Sequence, residues 1–227
     1  MSASSVLSLG GSSTVCGIDP WKAGIDRARR KIRAYGASNA SVIEGTAEDM
    51  PFRDDEFDLI VSNNGLNNVR DLSLTLSECS RVARAGAQFV FTFNTEDTFR
   101  EFYDIYRLVL EESGLGAFAG GIAAHIHEKR KPLKEMLTRT ESSGFAVSAV
   151  AEDEFRYRFA DGSAMLRHFF IDYAFADAWR KILPEGHRET TFRRIEERIN
   201  ALAEREGGFT MRVPFATVDS RKVRHGA

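Results

Sequence analysis

The chain has 227 residues, of which 43% are hydrophobic and 28% charged, enough for one sizeable core or for one domain with a modest insertion. Its formal net charge is −2, so it lacks the basic excess with which proteins bind a nucleic-acid backbone. The two cysteines, Cys16 and Cys79, indicate neither a disulfide framework nor a zinc cluster. No apolar run approaches the ~18 residues of a membrane span. No signal-peptide pattern opens the sequence, so we expect a cytoplasmic protein without a nucleic-acid partner.

Short β-branched runs alternate with helical patterns over residues 1–150, which is typical of a parallel sheet built from β-α-β units. The predicted strands are Val6–Leu9, Thr14–Ile18, Ser41–Glu44, Phe57–Ser62, Gln88–Phe93 and Phe145–Val150. Between them the spacing of apolar residues predicts helices over Lys22–Tyr35, Leu72–Arg84, Glu96–Ser113 and Pro132–Ser143. The fold class is therefore α/β.

The composition of the sequence changes after Val150. The segment from Phe155 to Gly207 is dense in aromatic residues and is predicted to be helical, ending in a long helix over Glu189–Glu206. The alternation of Met211, Val213 and Phe215 predicts one final strand. We therefore expect a core over residues 1–150, a helical cap over 151–208 and a returning strand with its tail over 209–227.

One connection does not fit this scheme. Neighbouring parallel strands need a crossover of about a dozen residues or more, but only four residues separate Leu9 from Thr14. Either the first two strands are antiparallel or a segment is absent from the sequence at Gly10 to Ser13. We favour the second alternative, and expect an interrupted chain there with the two strands as parallel neighbours.

A carboxylate ends the second predicted strand. Gly17, Ile18 and Asp19 close the strand, and Pro20 leads into the next helix. Such a side chain faces the crevice beyond the carboxyl ends of parallel strands, where nucleosides bind. Its two acceptor oxygens match the two hydroxyls of a ribose, so Asp19 is a candidate ribose ligand. The alternative is that Asp19 only caps the helix.

A long acidic motif lies beyond the next helix. It reads Glu44-Gly45-Thr46-Ala47-Glu48-Asp49-Met50-Pro51-Phe52, followed by Asp54, Asp55, Phe57 and Asp58. Together with Asp19 and Pro20, this motif resembles the class I S-adenosylmethionine-dependent methyltransferases of the ubiquinone- and menaquinone-biosynthesis type. The resemblance implies S-adenosylmethionine as cofactor, with the loop at Thr46 and Ala47, and Glu48 beside them, around its adenine. An acidic turn between strands explains the charges but not their order.

Further stretches match the same family in order. Phe57 to Asn64 resembles its fourth strand, and the resemblance implies that the end of this strand, at Asn63, faces the sulfonium of the cofactor. The later helices and strands of the family are matched by Leu76 to Phe93 and by His127 to Phe145. The resemblance covers residues 5–150 and the final strand. It implies a Rossmann-like, mostly parallel seven-stranded sheet whose last strand runs antiparallel between the fifth and sixth.

The chain departs from the family at its first motif. The family has an acidic residue and a glycine-rich loop that approaches the methionine end of the cofactor, and a helix N-terminus that faces its carboxylate. This sequence has Ser8-Leu9-Gly10-Gly11-Ser12-Ser13 at that place, so Gly10 remains as a candidate cofactor contact while most of the loop is missing. If that deletion belongs to the protein, cofactor binding is in question.

The expected reaction is an in-line transfer of the sulfonium methyl group to a small-molecule acceptor, which we expect to be apolar or aromatic. Positioning and desolvation carry much of such a reaction, and no residue stands out as a general base. His125 and His127 lack the further ligands of a metal site and are interpreted as loop residues, so we expect no metal. Tyr103 and Tyr106 fit a core stripe or a substrate pocket. In the cap, Phe169, Tyr173 and Trp179 are the aromatic residues expected to face the acceptor.

Two other functions are compatible with parts of the sequence. An NAD(P)-dependent oxidoreductase also places an acidic residue after its second strand, but no tyrosine here has a lysine four residues later, as short-chain dehydrogenases require. Nucleic-acid amino-methyltransferases expect Pro-Pro-aromatic where this chain has Asn64-Gly65-Leu66. A methyltransferase fold that serves only as a binding module remains open, supported by the incomplete glycine-rich loop.

Overall fold

The computed structural model describes residues 13–224, and this part of the chain is α/β. Its strands are β1 (Val15–Asp19), β2 (Ala40–Glu44), β3 (Phe57–Asn63), β4 (Ala83–Asn94), β5 (Phe145–Phe159) and β6 (Phe209–Lys222). Its helices are α1 (Lys22–Ala34), α2 (Leu72–Val82), α3 (Arg100–Glu112), α4 (Ala119–Lys129), α5 (Leu133–Ser142), α6 (Gly162–Leu166), α7 (Phe169–Ile171), α8 (Asp177–Lys181) and α9 (Glu185–Glu206). Gly116–Phe118 forms a 3₁₀ turn and Asp172–Ala176 a π-helical turn. The predicted strand Val6–Leu9 and candidate Gly10 lie outside the described residues, as does most of the expected interruption before Thr14.

The described strands form two sheets. β1 and β2 pair in parallel, in register from Val15 with Ala40 to Asp19 with Glu44. The other sheet has the order β3-β4-β6-β5, and β3 and β4 pair in parallel. Because two sheets are described, with six strands between them, the seven-stranded sheet is not established as such.

The last strand lies between β4 and β5 and runs against both. Along β4, Gln88 contacts Asp219, whereas the later Thr95 contacts the earlier Pro214. On the β5 side, the amide of Val223 donates to the carbonyl of Gly144, near the start of β5. Partners that advance along one strand while receding along the other identify an antiparallel pair. The expected place and direction of the final strand therefore agree with the structure.

The chain divides into two compact units. The first unit comprises residues 13–93, 133–151 and 216–224, and the second comprises residues 94–132 and 152–215. One of these divisions lies between residues 151 and 152. Residues 94–132, expected within the core, instead group with the aromatic segment.

Each unit has its own hydrophobic core. In the first unit, Phe89, Phe91 and Phe93 of β4 pack with Leu76 of α2 and Phe145 of β5, all with at most 1% of their surface exposed. The second core is built mainly from α3, α9 and the first half of β6 and is richer in aromatic rings. Its fully buried members include Phe102, Tyr103, Tyr106, Trp179, Ile195 and Ile199.

Three predicted elements need correction. The predicted helical segment from Phe155 begins with strand, because β5 continues to Phe159; aromatic Phe155 and Tyr157 alternate with arginines, a period of two that belongs to strands. β6 is 14 residues long, well beyond the predicted Met211 to Phe215. His125 and His127 lie on α4, which was not predicted, and not in a loop.

Candidate functional site

The first unit contains a cavity of about 880 Å³. Six of the seven predicted cofactor residues line it: Asp19, Pro20, Thr46, Ala47, Glu48 and Asn63. They come from the end of β1, the loop after β2 and the end of β3, three places that are far apart in sequence. Parallel pairing of β1 with β2 brings the first two places to one edge of their sheet, and the end of β3, in the other sheet, lines the same cavity.

Asp19 is the last residue of β1, and one of its oxygens already has a partner. Its Oδ1 accepts a hydrogen bond from the backbone amide of Trp21 at 2.7 Å, just before α1 begins at Lys22. This bond fixes the turn before the helix but does not cap it, because the N-cap of α1 is Trp21 and no side chain caps the helix there. No hydrogen bond to Oδ2 is found among the described residues, so that atom remains for a ligand.

The loop after β2 is held closed on itself. An isolated bridge joins Thr46 to Asp49, and half-buried Ala47 packs against the core of the first unit. Gly45 precedes it, where a Cβ would lie 2.9 Å from Cδ1 of Ile18, so a larger residue would require the Ile18 side chain or the loop to shift. Thr46 and Ala47 line the cavity from this closed loop.

Glu48 serves the protein's own backbone. Its Oε1 accepts hydrogen bonds from the amides of Arg70 at 2.6 Å and Asp71 at 3.3 Å. Burial is the largest influence on the pKa of Glu48 and raises it, but these backbone amides and the Arg70 guanidinium outweigh burial and hold the pKa below its ordinary value. The carboxylate consequently anchors the segment that leads into α2.

The end of β3 carries two asparagines with different environments. Oδ1 of Asn63 accepts a hydrogen bond from the hydroxyl of Thr92 at 2.8 Å. Asn64 has φ +55°, and its buried Oδ1 has no hydrogen-bond partner within the protein. At Gly65, which follows, a Cβ would lie 2.7 Å from Oγ of Ser62. A strained residue with an unpaired buried acceptor beside a cavity is a frequent feature of ligand sites.

Sequence reasoning missed the residues that support this site. The guanidinium of Arg81, on α2, donates to the carbonyls of Met50 and Phe52 and to the carboxylates of Glu78 and Asp54. Glu78 in turn accepts from the amide of Met50 at 2.8 Å. The Arg81 hydrogen bond is the main reason why the pKa of Glu78 lies below its ordinary value. The contacts of Arg81 and Glu78 with the loop over Met50–Asp54 have no local sequence signal. The left-handed conformation of Asn64 does have one, because Asn-Asn-Gly favours such a residue.

Cys79 lines the cavity but has no nucleophilic character. Burial raises the pKa of its thiol to about 12, so the thiol stays protonated at neutral pH. Among residues 13–224, no group of three or more His, Cys, Asp or Glu side chains is placed to hold a metal ion. Within the same range, no helix is long and apolar enough to cross a membrane.

Comparison with known proteins matches the region that builds this cavity. Residues 2–91 match the family described as a methyltransferase domain. This part of the chain is therefore similar to the class I methyltransferases, as predicted. S-adenosylmethionine is the cofactor of that class, so the predicted family and cofactor type are confirmed at this level.

Individual relatives agree with the assignment. A demethylmenaquinone methyltransferase of Bacillus velezensis is 32% identical over 100 residues, 43% of either chain. A ubiquinone/menaquinone biosynthesis C-methyltransferase of Psychromonas ingrahamii is 30% identical over 129 residues, 51% of either chain. The chain thus spans about half the length of these curated relatives.

A solved structure extends the likeness of fold beyond that half. An S-adenosylmethionine-dependent methyltransferase from Methanosarcina mazei superposes with a TM-score of 0.58 at 14% identity, covering 98% of this chain and 87% of that one. At this identity the likeness concerns the fold alone. The fold is the α/β fold of the methyltransferases.

Proposed function

We propose that the protein transfers a methyl group from S-adenosylmethionine to a small-molecule acceptor, with the adenosine of the cofactor bound in the cavity of the first unit. One observation carries the proposal: six residues predicted from the family motifs line a single cavity large enough for a nucleoside. The quinone-biosynthesis enzymes match this chain over only about half of their length. The reaction and its acceptor are therefore proposals for this chain.

The residues of the cavity have distinct roles in this proposal. Oδ2 of Asp19 accepts a hydrogen bond from a ribose hydroxyl, while Oδ1 keeps its bond to Trp21. The backbone at Thr46 and Ala47 contacts the adenine. Asn63 and the unpaired Oδ1 of Asn64 lie at the end of β3, where the family binds the methionine part. The cofactor supplies an electrophilic methyl group, and the protein supplies orientation and exclusion of water.

The finer architecture belongs to the same proposal. We retain the seven-stranded sheet as part of it; in support, β3 is an edge strand of the described residues, and its Leu59 and Val61 line the cavity and are each 37% exposed. We also retain the division into a cofactor-binding core, an aromatic insertion and a returning strand, with residues of the insertion binding the acceptor. An apolar, aromatic acceptor of the quinol class is the one that the names of the relatives suggest.

The main alternative is a binding module that retains the fold without the reaction. The observation that favours it is the shortened glycine-rich motif at Gly10, because the family uses that loop for the methionine end of the cofactor. A protein of this kind would bind adenosine compounds in the same cavity but transfer no methyl group.

Calorimetric titration with S-adenosylmethionine and S-adenosylhomocysteine tests the proposal. Asp19→Ala should weaken binding at least about tenfold, since a buried hydrogen bond to a charged group contributes about 1.5–3 kcal/mol. Asp19→Asn keeps an oxygen for the Trp21 amide and separates loss of charge from loss of the turn. Asp26→Ala, an exposed residue of α1 that does not line the cavity, is the matched control.

The outcomes separate the two functions. Equal affinities in Asp19→Ala and the unsubstituted protein would rule out Asp19 as the ribose ligand. Binding without transfer of labelled methyl to a panel of quinols and phenols would favour the binding module. Transfer to any member of the panel, lost in Asp19→Ala and kept in Asp26→Ala, supports the methyltransferase.

A further inference from the structure

A buried cation in the second unit has no anionic partner. Arg130 directly follows α4 and is 5% exposed. No protein group accepts a hydrogen bond from its Nη1, and none of the ion pairs among residues 13–224 includes it. A buried guanidinium normally has a carboxylate beside it, because burial of an uncompensated charge is unfavourable.

Two aromatic rings face the guanidinium. Its Cζ lies 5.5 Å from the ring centroid of Phe99 and 5.8 Å from that of Phe175. Cation–π attraction offsets part of the cost of burial but supplies no hydrogen-bond acceptor. The Arg130 side chain is also hydrogen-bonded to that of Tyr103, so the unused donor capacity of the guanidinium lies at Nη1.

The backbone near these rings has unusual conformations. Phe99 has φ +63°, a left-handed conformation that is rare for a bulky residue. Phe175 belongs to the π-helical turn Asp172–Ala176, a form that occurs often at functional sites. Phe175 is also only partly buried, so the arrangement lies close to the surface of the unit.

The remaining polar neighbours bring no negative charge. The hydroxyl of Tyr103 accepts a hydrogen bond from Nε1 of Trp179 at 2.9 Å. Burial raises the pKa of Tyr103, and the Arg130 charge opposes this only in part, so the hydroxyl stays neutral. The ring centroid of His125 lies 6.3 Å from that of Tyr103, and burial and then Arg130 lower its pKa. His125 is therefore uncharged at neutral pH, and Arg130 is the uncompensated charge.

We propose that Arg130 is the anion-binding residue of a ligand site in the second unit, and that the ligand is a small aromatic carboxylic acid. The fork of N–H donors matches the two oxygens of a carboxylate, and the rings of Phe99 and Phe175 match a flat unsaturated body. The identification of this acid with the methyl acceptor rests on the proposed function; the site itself does not.

Benzoate is the probe, and the two tryptophan indole N–H signals of the full chain are the readout in ¹H–¹⁵N NMR spectra. Trp179 reports on the Arg130 site through its hydrogen bond to Tyr103, and Trp21 lines the cavity of the first unit. Trp21→Phe assigns the two signals. A saturable shift of the Trp179 signal, with that of Trp21 unmoved, is expected.

Substitutions identify the group responsible. Arg130→Met should weaken benzoate binding by about tenfold or more, because one partner of a buried charge pair is removed. Arg180→Met is the matched control: the guanidinium of Arg180 also lies over a ring, that of Phe192 at 5.5 Å, and this variant should bind as before. If Arg130→Met does not fold, Arg130→Lys keeps the charge without the fork and should still bind less tightly.

Three results would overturn the proposal. They are a Trp179 signal that does not respond to benzoate up to the solubility limit, an equal response in the Arg130 variant that folds, and tighter binding of inorganic phosphate than of benzoate. The last would indicate a phosphate ligand. Because neither probe nor readout involves the cofactor, failure here leaves the methyl-transfer proposal untouched, and absence of cofactor binding leaves this site untouched.

Discussion

The two units use apolar residues in opposite ways. In the first unit, Leu59 and Val61 of β3, an edge strand of its described sheet, are each 37% exposed and line a large cavity. In the second unit, Tyr103, Tyr106 and Trp179 are completely buried, and the Trp179 indole stacks on the ring of Phe102 at 4.0 Å.

This difference distinguishes apolar residues that line a ligand cavity from apolar residues that pack in a core. The first unit has polar strand ends around an open space, which is the usual anatomy of a ligand site. In the second unit, aromatic density mostly builds a core, so a high content of aromatic residues is by itself no evidence for a substrate pocket. The exception is the neighbourhood of Arg130, where burial leaves a charge without a counter-charge.

The three aromatic residues expected to face the acceptor, Phe169, Tyr173 and Trp179, differ in their burial. Trp179 belongs to the core, whereas Phe169 and Tyr173 are 78% and 73% exposed and stack on each other with ring centroids 5.9 Å apart. The three side chains therefore cannot share one role. Whether the exposed pair contacts an acceptor remains a prediction.

The largest effect is expected from the core of the second unit. Trp179→Ala removes a stacked ring and the hydrogen bond to Tyr103, and should lower the free energy of unfolding by about 3–5 kcal/mol. Tyr173→Ala, exposed and in the same segment, should change it by less than about 0.5 kcal/mol. Urea denaturation followed by circular dichroism measures both, and equal losses would mean that exposure does not distinguish the two positions.

A smaller effect should appear in the loop of the first unit. Arg81→Ala removes the donors that hold the carbonyls of Met50 and Phe52, and should lower the unfolding free energy by about 1–3 kcal/mol and weaken cofactor binding. Arg84→Ala is the control, because Arg84 pairs with Asp58 at the surface and such pairs contribute at most about 1 kcal/mol. If Arg84→Ala weakens cofactor binding as much as Arg81→Ala does, the loop contacts of Arg81 are not the cause.

The smallest effect concerns acid stability. The folded-state pKa of Glu78 lies below its ordinary value of 4.5, chiefly through Arg81, so its stabilising contribution is present above pH 4.5 and is lost as the pH falls through the lower, folded-state pKa. Glu78→Gln should therefore lower stability at neutral pH and show a smaller further loss in acid. Unfolding titrations above and below pH 4.5 measure this slope.

A control isolates the paired carboxylate. Glu189→Gln changes a side chain that is 94% exposed and lies 3.8 Å from Arg193, so its acid slope should match that of the unsubstituted protein. An unchanged slope in Glu78→Gln would show that the pairing with Arg81 does not contribute to the acid sensitivity.

The sequence by itself determined the α/β class, the order of most elements and the residues that meet around the cavity. It could do so because Asp19, the Thr46–Ala47 loop and Asn63 lie at or after the carboxyl ends of predicted strands, where α/β folds form their ligand crevice. Local signals also sufficed for α1 and α5, whose apolar spacing and flanking residues agree with their bounds.

The tertiary structure alone decided which groups were already occupied. Glu48 anchors Arg70 and Asp71, and Arg81 spans the loop, through atoms brought together from distant positions in the sequence. It also decided that Trp179 is core and that Arg130 is buried without a carboxylate, because burial is a property of packing among α3, α4 and α8. The sequence shows which residues are apolar or charged, whereas packing in the folded chain determines which residues contact one another.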